Sequence, residues 1–199
     1  GPWYVNTFGS DTPGVGFGSV DAPFGSIQYA IDSSTDGDTV LVAAGTYYEN
    51  INFNGKNISV IGEDRETTII DGGQNGSVVR IVNGEDIYMK NLFIYNGMTD
   101  CNNGFCFGGG ISCNSNNGSI DLIIDSLIIS GNHAHSNGGG LHSQSFNNVS
   151  IYNSIIENNE GGGAGGGGLS LECTGGGNCE FNLINSNINN NINGGVYAN

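Results

Sequence analysis

The sequence carries very little positive charge. Lysine and arginine together number 4 of 199 residues, against 19 aspartates and glutamates, and the formal net charge is −15. Proteins that bind duplex nucleic acid need several cationic contacts to phosphates, and anionic membrane surfaces also attract basic residues. We therefore expect neither among the partners. The acidity suits the solubility of an extracellular protein, and carboxylates are also ligands of Ca²⁺, which is the one candidate cofactor.

Proline is scarce and long apolar runs are missing. There are 3 prolines and 36 glycines without a strict third-residue period, which excludes a collagen helix. No apolar stretch approaches the roughly 20 residues of a membrane-spanning helix. Glycine and the 30 asparagines are poor residues inside helices, which excludes a helical bundle. A disordered linker is also excluded, because 37% of the residues are hydrophobic and recur in short clusters.

Two short phrases recur along the chain at intervals of roughly 30 residues. In the first, an apolar residue follows two or three glycines. In the second, a Ser follows Asp or Asn and precedes an apolar pair. The two phrases stay in step, since Ile128 lies 13 residues before Leu141 and Ile156 lies 13 before Leu169. Because the intervening runs are short, β-like and broken by Asn or Gly, the repeat predicts stacked coils of a parallel β-solenoid.

The repeat also predicts which side chains point into the solenoid. Each set has one residue from each successive coil and should form a column. The predicted columns are Ile123, Ile151 and Leu183; Phe93, Ile128, Ile156 and Ile188; Ile111, Leu141, Leu169 and Val196; Cys113, Ser143, Leu171 and Ala198; and an inward hydroxyl ladder of Ser126, Ser154 and Ser186.

The front of the chain has a different pattern. Ile27, Ala30 and Ile31 are spaced as on one face of a helix, and Ser26 is a suitable N-cap. We predict a short amphipathic helix that covers the first coil and shields its strand edge. The first full strand is then expected over residues 39–43, with further coil strands at 58–61, 67–71 and 78–82.

Several segments resemble a known family. Residues 22–31, 36–47, 58–62 and 68–72 resemble the start of right-handed parallel β-helix proteins of the pectin-lyase-like superfamily. The later Gly-Gly-Gly-Ile copies and residues 130–134 are similar to repeats in large secreted or surface β-helix proteins of bacteria. The resemblance implies an all-β, right-handed parallel β-helix with a short N-terminal capping helix. It implies no single activity, because the superfamily mixes polysaccharide lyases, glycoside hydrolases, epimerases and adhesins.

The expected organisation is one domain over residues 3–199. Residues 1–2, Gly-Pro, are typical of the scar that a protease leaves when a tag is removed. The cap is expected over about 3–37 and the coils over about 38–199. Because the last residues begin a new coil, we expect this chain to be part of a larger protein that continues beyond residue 199.

Five cysteines are present. Cys101 and Cys106, and likewise Cys173 and Cys179, bracket short flexible intervals, so we predict two local disulfides. Cys113 remains as a buried small hydrophobic residue. A zinc site is the competing interpretation, but the chain has no CxxC pair. Disulfides indicate an oxidising compartment, and hence an extracellular or cell-surface location.

One strip of polar residues follows the inward positions of the glycine-phrase strand. It is predicted to form a flat outer face suited to hydrogen bonding with sugar hydroxyls, and none of the four cations is expected on it. The strip consists of Ser112, Asn114, His142, Gln144, Ser170 and Glu172.

Catalytic candidates are weak. The two candidates are Arg80, as a cation that could offset a substrate's charge, and His142, as a base. His133 and His135 lie close to His142 in sequence, but no carboxylate is adjacent to orient a ring, and Lys90 is expected to pair with Asp125. A hydrolase needs two or three carboxylates close together. The acidic candidates are Asp121, Asp125, Glu157, Glu172 and Glu180, and no short motif groups them in the sequence.

The function hypothesis is therefore a secreted or cell-surface domain for binding or adhesion, with polysaccharide as ligand and no catalysis by the isolated chain. The alternative is a polysaccharide lyase or glycoside hydrolase. A second alternative is a passive structural stalk.

Overall fold

The computed structural model describes residues 1–100, 107–114, 120–144, 146–163, 165–173 and 179–199. Strands dominate, and the helix is short. In chain order the elements are β1 (Trp3–Val5), α1 (Ile27–Ser33), β2 (Thr39–Val42), β3 (Gly45–Tyr48), β4 (Ile51–Asn52), β5 (Ser59–Gly62), β6 (Thr68–Asp71), β7 (Val79–Ile81), β8 (Asp86–Lys90), β9 (Phe93–Tyr95), β10 (Met98–Thr99), β11 (Ile111–Asn114), β12 (Ile120–Asp125), β13 (Ile128–Ser130), β14 (His133–Ala134), β15 (Leu141–Gln144), β16 (Phe146–Tyr152), β17 (Ile155–Glu157), β18 (Glu160–Gly161), β19 (Leu169–Glu172), β20 (Glu180–Ile184), β21 (Asn187–Asn189) and β22 (Val196–Ala198).

These strands form four parallel sheets that run along the molecule. Sheet I has the order β1-β2-β5-β8-β12-β16-β20, and sheet II has the order β3-β6-β9-β13-β17-β21. Sheet III has the order β4-β7-β11-β15-β19-β22, and the small sheet IV is β10-β14-β18. Each strand therefore pairs with the equivalent strand of the next coil, as in a parallel β-helix. The predicted all-β solenoid is confirmed.

Asparagine makes the corner between sheets I and II. Asn91, Ser126, Asn153 and Asn185 follow the strands of sheet I and have φ angles of 54°, 58°, 52° and 51°. Asn tolerates this left-handed conformation better than most residues, because its short polar side chain bonds locally. The high asparagine content thus has a backbone cause.

The predicted alignment of two columns is wrong by one residue. Ile124, not Ile123, pairs with Ile151, and Ile129, not Ile128, pairs with Ile156 and through it with Ile188. The reason is that Ser126 occupies the corner that Asn153 fills in the next coil. Leu127 then becomes the inward neighbour of Ser154 and Ser186, so the hydroxyl ladder lacks Ser126.

The other predicted columns are confirmed by the register. Ile111, Leu141, Leu169 and Val196 lie on successive strands of sheet III, as do Cys113, Ser143, Leu171 and Ala198. Ile111, Leu141 and Leu169 are all fully buried. Ile123, which was predicted to point inward, is 37% exposed, as the corrected register requires.

A buried asparagine ladder runs through the interior and was not predicted. Asn132 donates to Asn159 Oδ1 from both its backbone nitrogen and Nδ2, each at 3.0 Å. Asn159 repeats this arrangement on Asn191 Oδ1, at 3.0 and 3.1 Å. Its Nδ2 also donates to the Ile129 carbonyl at 2.9 Å. Each side chain therefore satisfies backbone groups of the neighbouring coil as well as its own polar atoms.

The N-terminal helix caps the first coil as predicted. Ser26 is its N-cap, with Oγ accepting from the Tyr29 amide at 3.3 Å, and Ile27, Ala30 and Ile31 are buried. Glu49 accepts from the Ile27 and Gln28 amides at 2.8 Å each, and burial raises the pKa of its carboxyl. Lys56 Nζ donates to the Ile31 carbonyl at 2.8 Å, at the other end of α1. No helix in the described residues is long and apolar enough to span a membrane.

One of the two predicted disulfides is confirmed. Cys173 and Cys179 are bonded, with Cα atoms 5.9 Å apart, and Cys113 is a free, buried cysteine. Burial raises the pKa of the Cys113 thiol, so it is protonated and unreactive. The predicted Cys101–Cys106 bond lies outside the described residues.

Replacing both Cys173 and Cys179 by serine is expected to lower the free energy of unfolding by about 2 kcal/mol. The bond closes a short loop, with a sequence separation of 6, and so removes only a modest amount of unfolded-state entropy. Urea unfolding of the two proteins measures the difference. Peptide mapping under non-reducing conditions that finds both thiols free would contradict the assignment.

Candidate functional site

A polar cleft of about 420 Å³ lies beside the early coils. Three separate stretches of chain line it: the end of the first coil, the turn before β7 with β7 itself, and the segment that includes β10. The lining residues are Asn50, Asn52, Gln74, Asn75, Gly76, Ser77, Arg80, Met98, Thr99 and Asp100.

The turn before β7 forms one wall of the cleft. Gln74 and Gly76 have φ angles of 58° and 105°, and the amides of these residues donate to the Asn96 and Met98 carbonyls at 2.8 and 2.9 Å. Asn50 Nδ2 also donates to the Ser77 carbonyl at 3.1 Å. A non-glycine residue in the left-handed region is held only where its surroundings fix it. This wall is accordingly fixed by its neighbours on both sides.

A second part of the cleft lining, Asn52 on β4, is braced by the capping helix. The Asn52 amide donates to Gln28 Oε1 at 2.7 Å, and Gln28 Nε2 donates to the Asn52 carbonyl at 3.1 Å. The Asn52 side chain accepts from the Asn54 amide at 3.0 Å. The cap thus positions a residue of the cleft as well as covering the core.

The cleft contains every kind of polar group that a hydroxyl-rich ligand requires. Arg80 and Asp100 supply a cation and an anion, Ser77 and Thr99 supply hydroxyls, and the remaining polar side chains are amides. Thr99 is only 3% exposed, and its Oγ1 has no hydrogen-bond partner within the described residues.

The predicted strip on sheet III is a real row, but a cation belongs to it. Arg80 pairs with Ser112, Ser112 pairs with His142, and His142 pairs with Ser170. The expectation that no cation lies on the row is wrong, because β7 has no glycine phrase to show its register in the sequence. Arg80 and His142, the two catalytic candidates, are therefore two strand steps apart, about 9–10 Å between Cα atoms.

The inner part of this strip is not an open surface. Ser112, His142 and Ser170 are 8%, 1% and 0% exposed. The Phe107 ring stacks on the His142 imidazole with centroids 4.7 Å apart. The glycine phrase before β15 also packs closely against that strand. A Cβ added at Gly138 would lie only 2.4 Å from the Leu141 carbonyl oxygen, so no side chain fits between them. The expected open face is wrong for these three residues.

The outer part of the strip remains accessible. Asn114, Gln144 and Glu172 are partly exposed and lie on neighbouring strands in register. Glu172 Oε1 accepts from Asn137 Nδ2 at 3.5 Å. Ligand binding by the strip stays a prediction, and these three residues are the ones that a ligand can reach.

His142 is an unsuitable base. Both ring nitrogens lack hydrogen-bond partners in the part of the chain that the structure describes, and burial lowers the pKa of the imidazole to about 4. The ring is therefore neutral at neutral pH and packs as an aromatic side chain.

This burial predicts a specific pH dependence. The unfolded imidazole binds a proton near pH 6.5, whereas the folded one does so only near pH 4. Stability therefore falls as the pH falls through this window, by about 3 kcal/mol from this group, and levels off below it. Urea unfolding of the wild type and His142→Phe at pH 7, 5.5 and 4 measures the difference. Parallel pH profiles for the two proteins would contradict the assignment.

Two acidic side chains lie close to basic residues on the sheets. Lys90 Nζ lies 3.3 Å from Asp125 Oδ2, as predicted, and Asp125 also accepts from Asn153 Nδ2 at 2.9 Å. Burial raises the pKa of the Asp125 carboxyl, but the hydrogen bonds and the Lys90 charge together outweigh it and hold this pKa below its ordinary value. His133 Nδ1 lies 3.4 Å from Glu160 Oε2, so the fold supplies the carboxylate that the neighbouring sequence lacks.

The remaining acidic candidates are spread over three faces. Asp121 and Glu180 belong to one row of sheet I, in register with Asn148 between them. Glu157 lies on sheet II and Glu172 on sheet III. Over the described ranges, no three His, Cys, Asp or Glu side chains come together as metal ligands. Calcium binding stays a prediction.

Comparison with protein families, with curated proteins and with solved structures finds no match.

Proposed function

We propose that this chain is a secreted or cell-surface β-helix domain that binds polysaccharide in the cleft around Arg80 and has no catalytic activity of its own. Its likeness to the pectin-lyase-like superfamily, and the right-handed coil that this implies, are part of the proposal. The polar cleft carries the argument, because its hydroxyl, amide and charged groups converge on a concavity large enough for a sugar unit.

The distribution of charge supports binding rather than catalysis. A hydrolase needs two carboxylates on either side of one bond. The acidic candidates are spread over three sheets, and the two that share a row of sheet I, Asp121 and Glu180, are separated by Asn148. A lyase needs a base, and His142 is buried without partners. The Cys173–Cys179 bond is compatible with an oxidising, extracellular compartment. No nucleic-acid or membrane partner is proposed.

Arg80 favours one alternative, a lyase. It is a cation that lines the cleft, and a uronate substrate needs such a charge to offset the net −15 of the chain. Cations bound with the substrate, Ca²⁺ above all, would serve the same purpose. The passive stalk is disfavoured by the braced walls of the cleft.

The test is a glycan array with and without added Ca²⁺, followed by titration of the oligosaccharides that bind. Arg80→Met and Ser77→Val should weaken binding at least tenfold by losing polar contacts in the cleft. Arg65→Met is the matched control, because Arg65 donates to the Asn153 carbonyl outside the cleft. The control should bind like the wild type.

Two outcomes would overturn the proposal. Binding to no glycan would favour the stalk. Release of unsaturated product from pectate, alginate or chondroitin, lost in Arg80→Met, would show that the chain is a lyase.

A further inference from the structure

A row of aromatic and acidic side chains stands on the outer face of sheet II. Tyr48 pairs with Asp71, and Asp71 pairs with Tyr95, so the three residues occupy the same outward position on successive coils. Their inward neighbours Tyr47, Ile70 and Ile94 are buried. Tyr48 is 78% exposed and Tyr95 is 41% exposed. Large side chains with so much apolar surface in water indicate a binding surface when they are aligned.

The Tyr95 ring is fixed in place by its neighbours. A Cβ at Gly131 would lie 2.7 Å from Tyr95 Cε2 and 3.1 Å from Cδ2, so the ring rests directly against the Gly131 backbone. The Phe93 ring meets it edge-on, with centroids 5.6 Å apart and planes at 61°. Glycine is needed at position 131, because its φ of 69° and the ring above it exclude a side chain. The exposed part of the ring is thus a prearranged platform.

Asp71 lies between the two tyrosines and is also oriented. Its Oδ1 accepts from the Gly73 amide at 2.9 Å and from Asn96 Nδ2 at 2.8 Å. Both bonds end on Oδ1, so among the described residues Oδ2 remains available to accept from a ligand hydroxyl. The next positions of the row are Ser130 and Glu157, so the polar groups of the row are hydroxyl and carboxylate.

The spacing and charge specify the ligand class. Tyr48 and Tyr95 are two strand steps apart, about 9–10 Å between Cα atoms, which matches a disaccharide in an extended chain. In such a chain every second ring presents the same face, and an aromatic ring packs well against that apolar face. The carboxylates of the row repel an anionic chain, so a neutral one fits.

We propose that Tyr48, Asp71 and Tyr95 form a stacking track for an extended chain of neutral hexose units that runs along the solenoid axis. The inference rests on the proposed function and extends it to a second surface. The track lies beside the cleft, because Asn50, Gln74 and Met98 of the cleft follow the three track residues by only two or three positions in the chain.

The test is calorimetric titration with neutral hexasaccharides of hexose units, namely cello- and manno-oligosaccharides, and with an oligogalacturonate in the presence of Ca²⁺. Tyr48→Ala and Tyr95→Ala should each weaken binding of the preferred neutral hexasaccharide about three- to tenfold. Tyr95→Phe should restore binding, since the platform keeps its ring. Tyr152→Ala is the matched control, because Tyr152 points outward from sheet I. Thermal melts establish that all variants fold.

The outcomes separate the track from the cleft. Binding that Arg80→Met weakens but both tyrosine variants leave unchanged overturns the track alone. Preference for the oligogalacturonate over every neutral chain also overturns it. Failure of the wild type to bind any of these sugars overturns the track together with the proposed function.

Discussion

Replacing Ile156 by alanine is expected to lower the free energy of unfolding by about 2–5 kcal/mol. Ile156 is fully buried on β17, with Ile129 above it and Ile188 below it in the same inward column. A Cβ at Gly140 would lie 3.1 Å from Ile156 Cγ2, so backbone already packs against this side chain. Strands that are hydrogen-bonded on both sides cannot move inward to fill the space, and the cavity therefore persists.

Chemical unfolding followed by circular dichroism measures the effect. Ile123→Ala is the matched control, because Ile123 is 37% exposed on the outside of β12 and should lose less than about 0.5 kcal/mol. Ile156→Asp should not fold, since it buries an unpaired carboxylate. Equal losses in Ile156→Ala and Ile123→Ala would show that the register is wrong.

Replacing Asn159 by leucine is expected to cost at least about 3 kcal/mol, although leucine is more hydrophobic and similar in size. Asn159 is fully buried and makes four side-chain hydrogen bonds: it accepts two from Asn132 and donates to Ile129 and Asn191. Leucine can replace none of them. The Asn132 amide and side chain are then left without their Asn159 acceptor in the interior.

Unfolding in urea measures the loss, and hydrogen exchange at the Asn132 amide locates it. That amide should exchange faster in the variant than in the wild type. Asn187→Leu is the control, because Asn187 is an exposed asparagine on β21. A variant at position 159 that is as stable as the control would mean that the ladder contributes nothing.

The architecture of the coils could be predicted from the sequence, because period and corner residues are local signals. Ser26 and the spacing of Ile27, Ala30 and Ile31 likewise sufficed for α1. The register between two coils could not be predicted, because Ser126 takes a left-handed corner that Asn takes elsewhere. Asp125-Ser126 and Asn153-Ser154 look equivalent in sequence. In the fold, however, the left-handed corner residue is the second of the first pair and the first of the second pair.

The candidate site was largely hidden from sequence reasoning. The cleft combines residues near positions 50, 77 and 99 that no local motif connects, and Arg80 lies on a strand without the glycine phrase. The Phe107 ring helps to bury His142, and it comes from the segment before β11, more than 30 residues earlier in the chain. The asparagine ladder had a weak signal, a recurrent Asn at positions 132, 159 and 191, which the more obvious glycine phrase concealed.

The length of the coils has a consequence for folding kinetics. Strand partners are separated by as few as 20 residues, at Val40 and Val60, and by at most 37, at Val5 and Val42. Closing a loop of about 28 residues costs roughly 3 kcal/mol of chain entropy, and this cost changes slowly with length. Each coil therefore meets nearly the same barrier when it joins the one before it. Folding should start at one early pair of coils and spread to the neighbouring coils in turn. A destabilising substitution such as Ile156→Ala should then slow only the step in which its own coil is added.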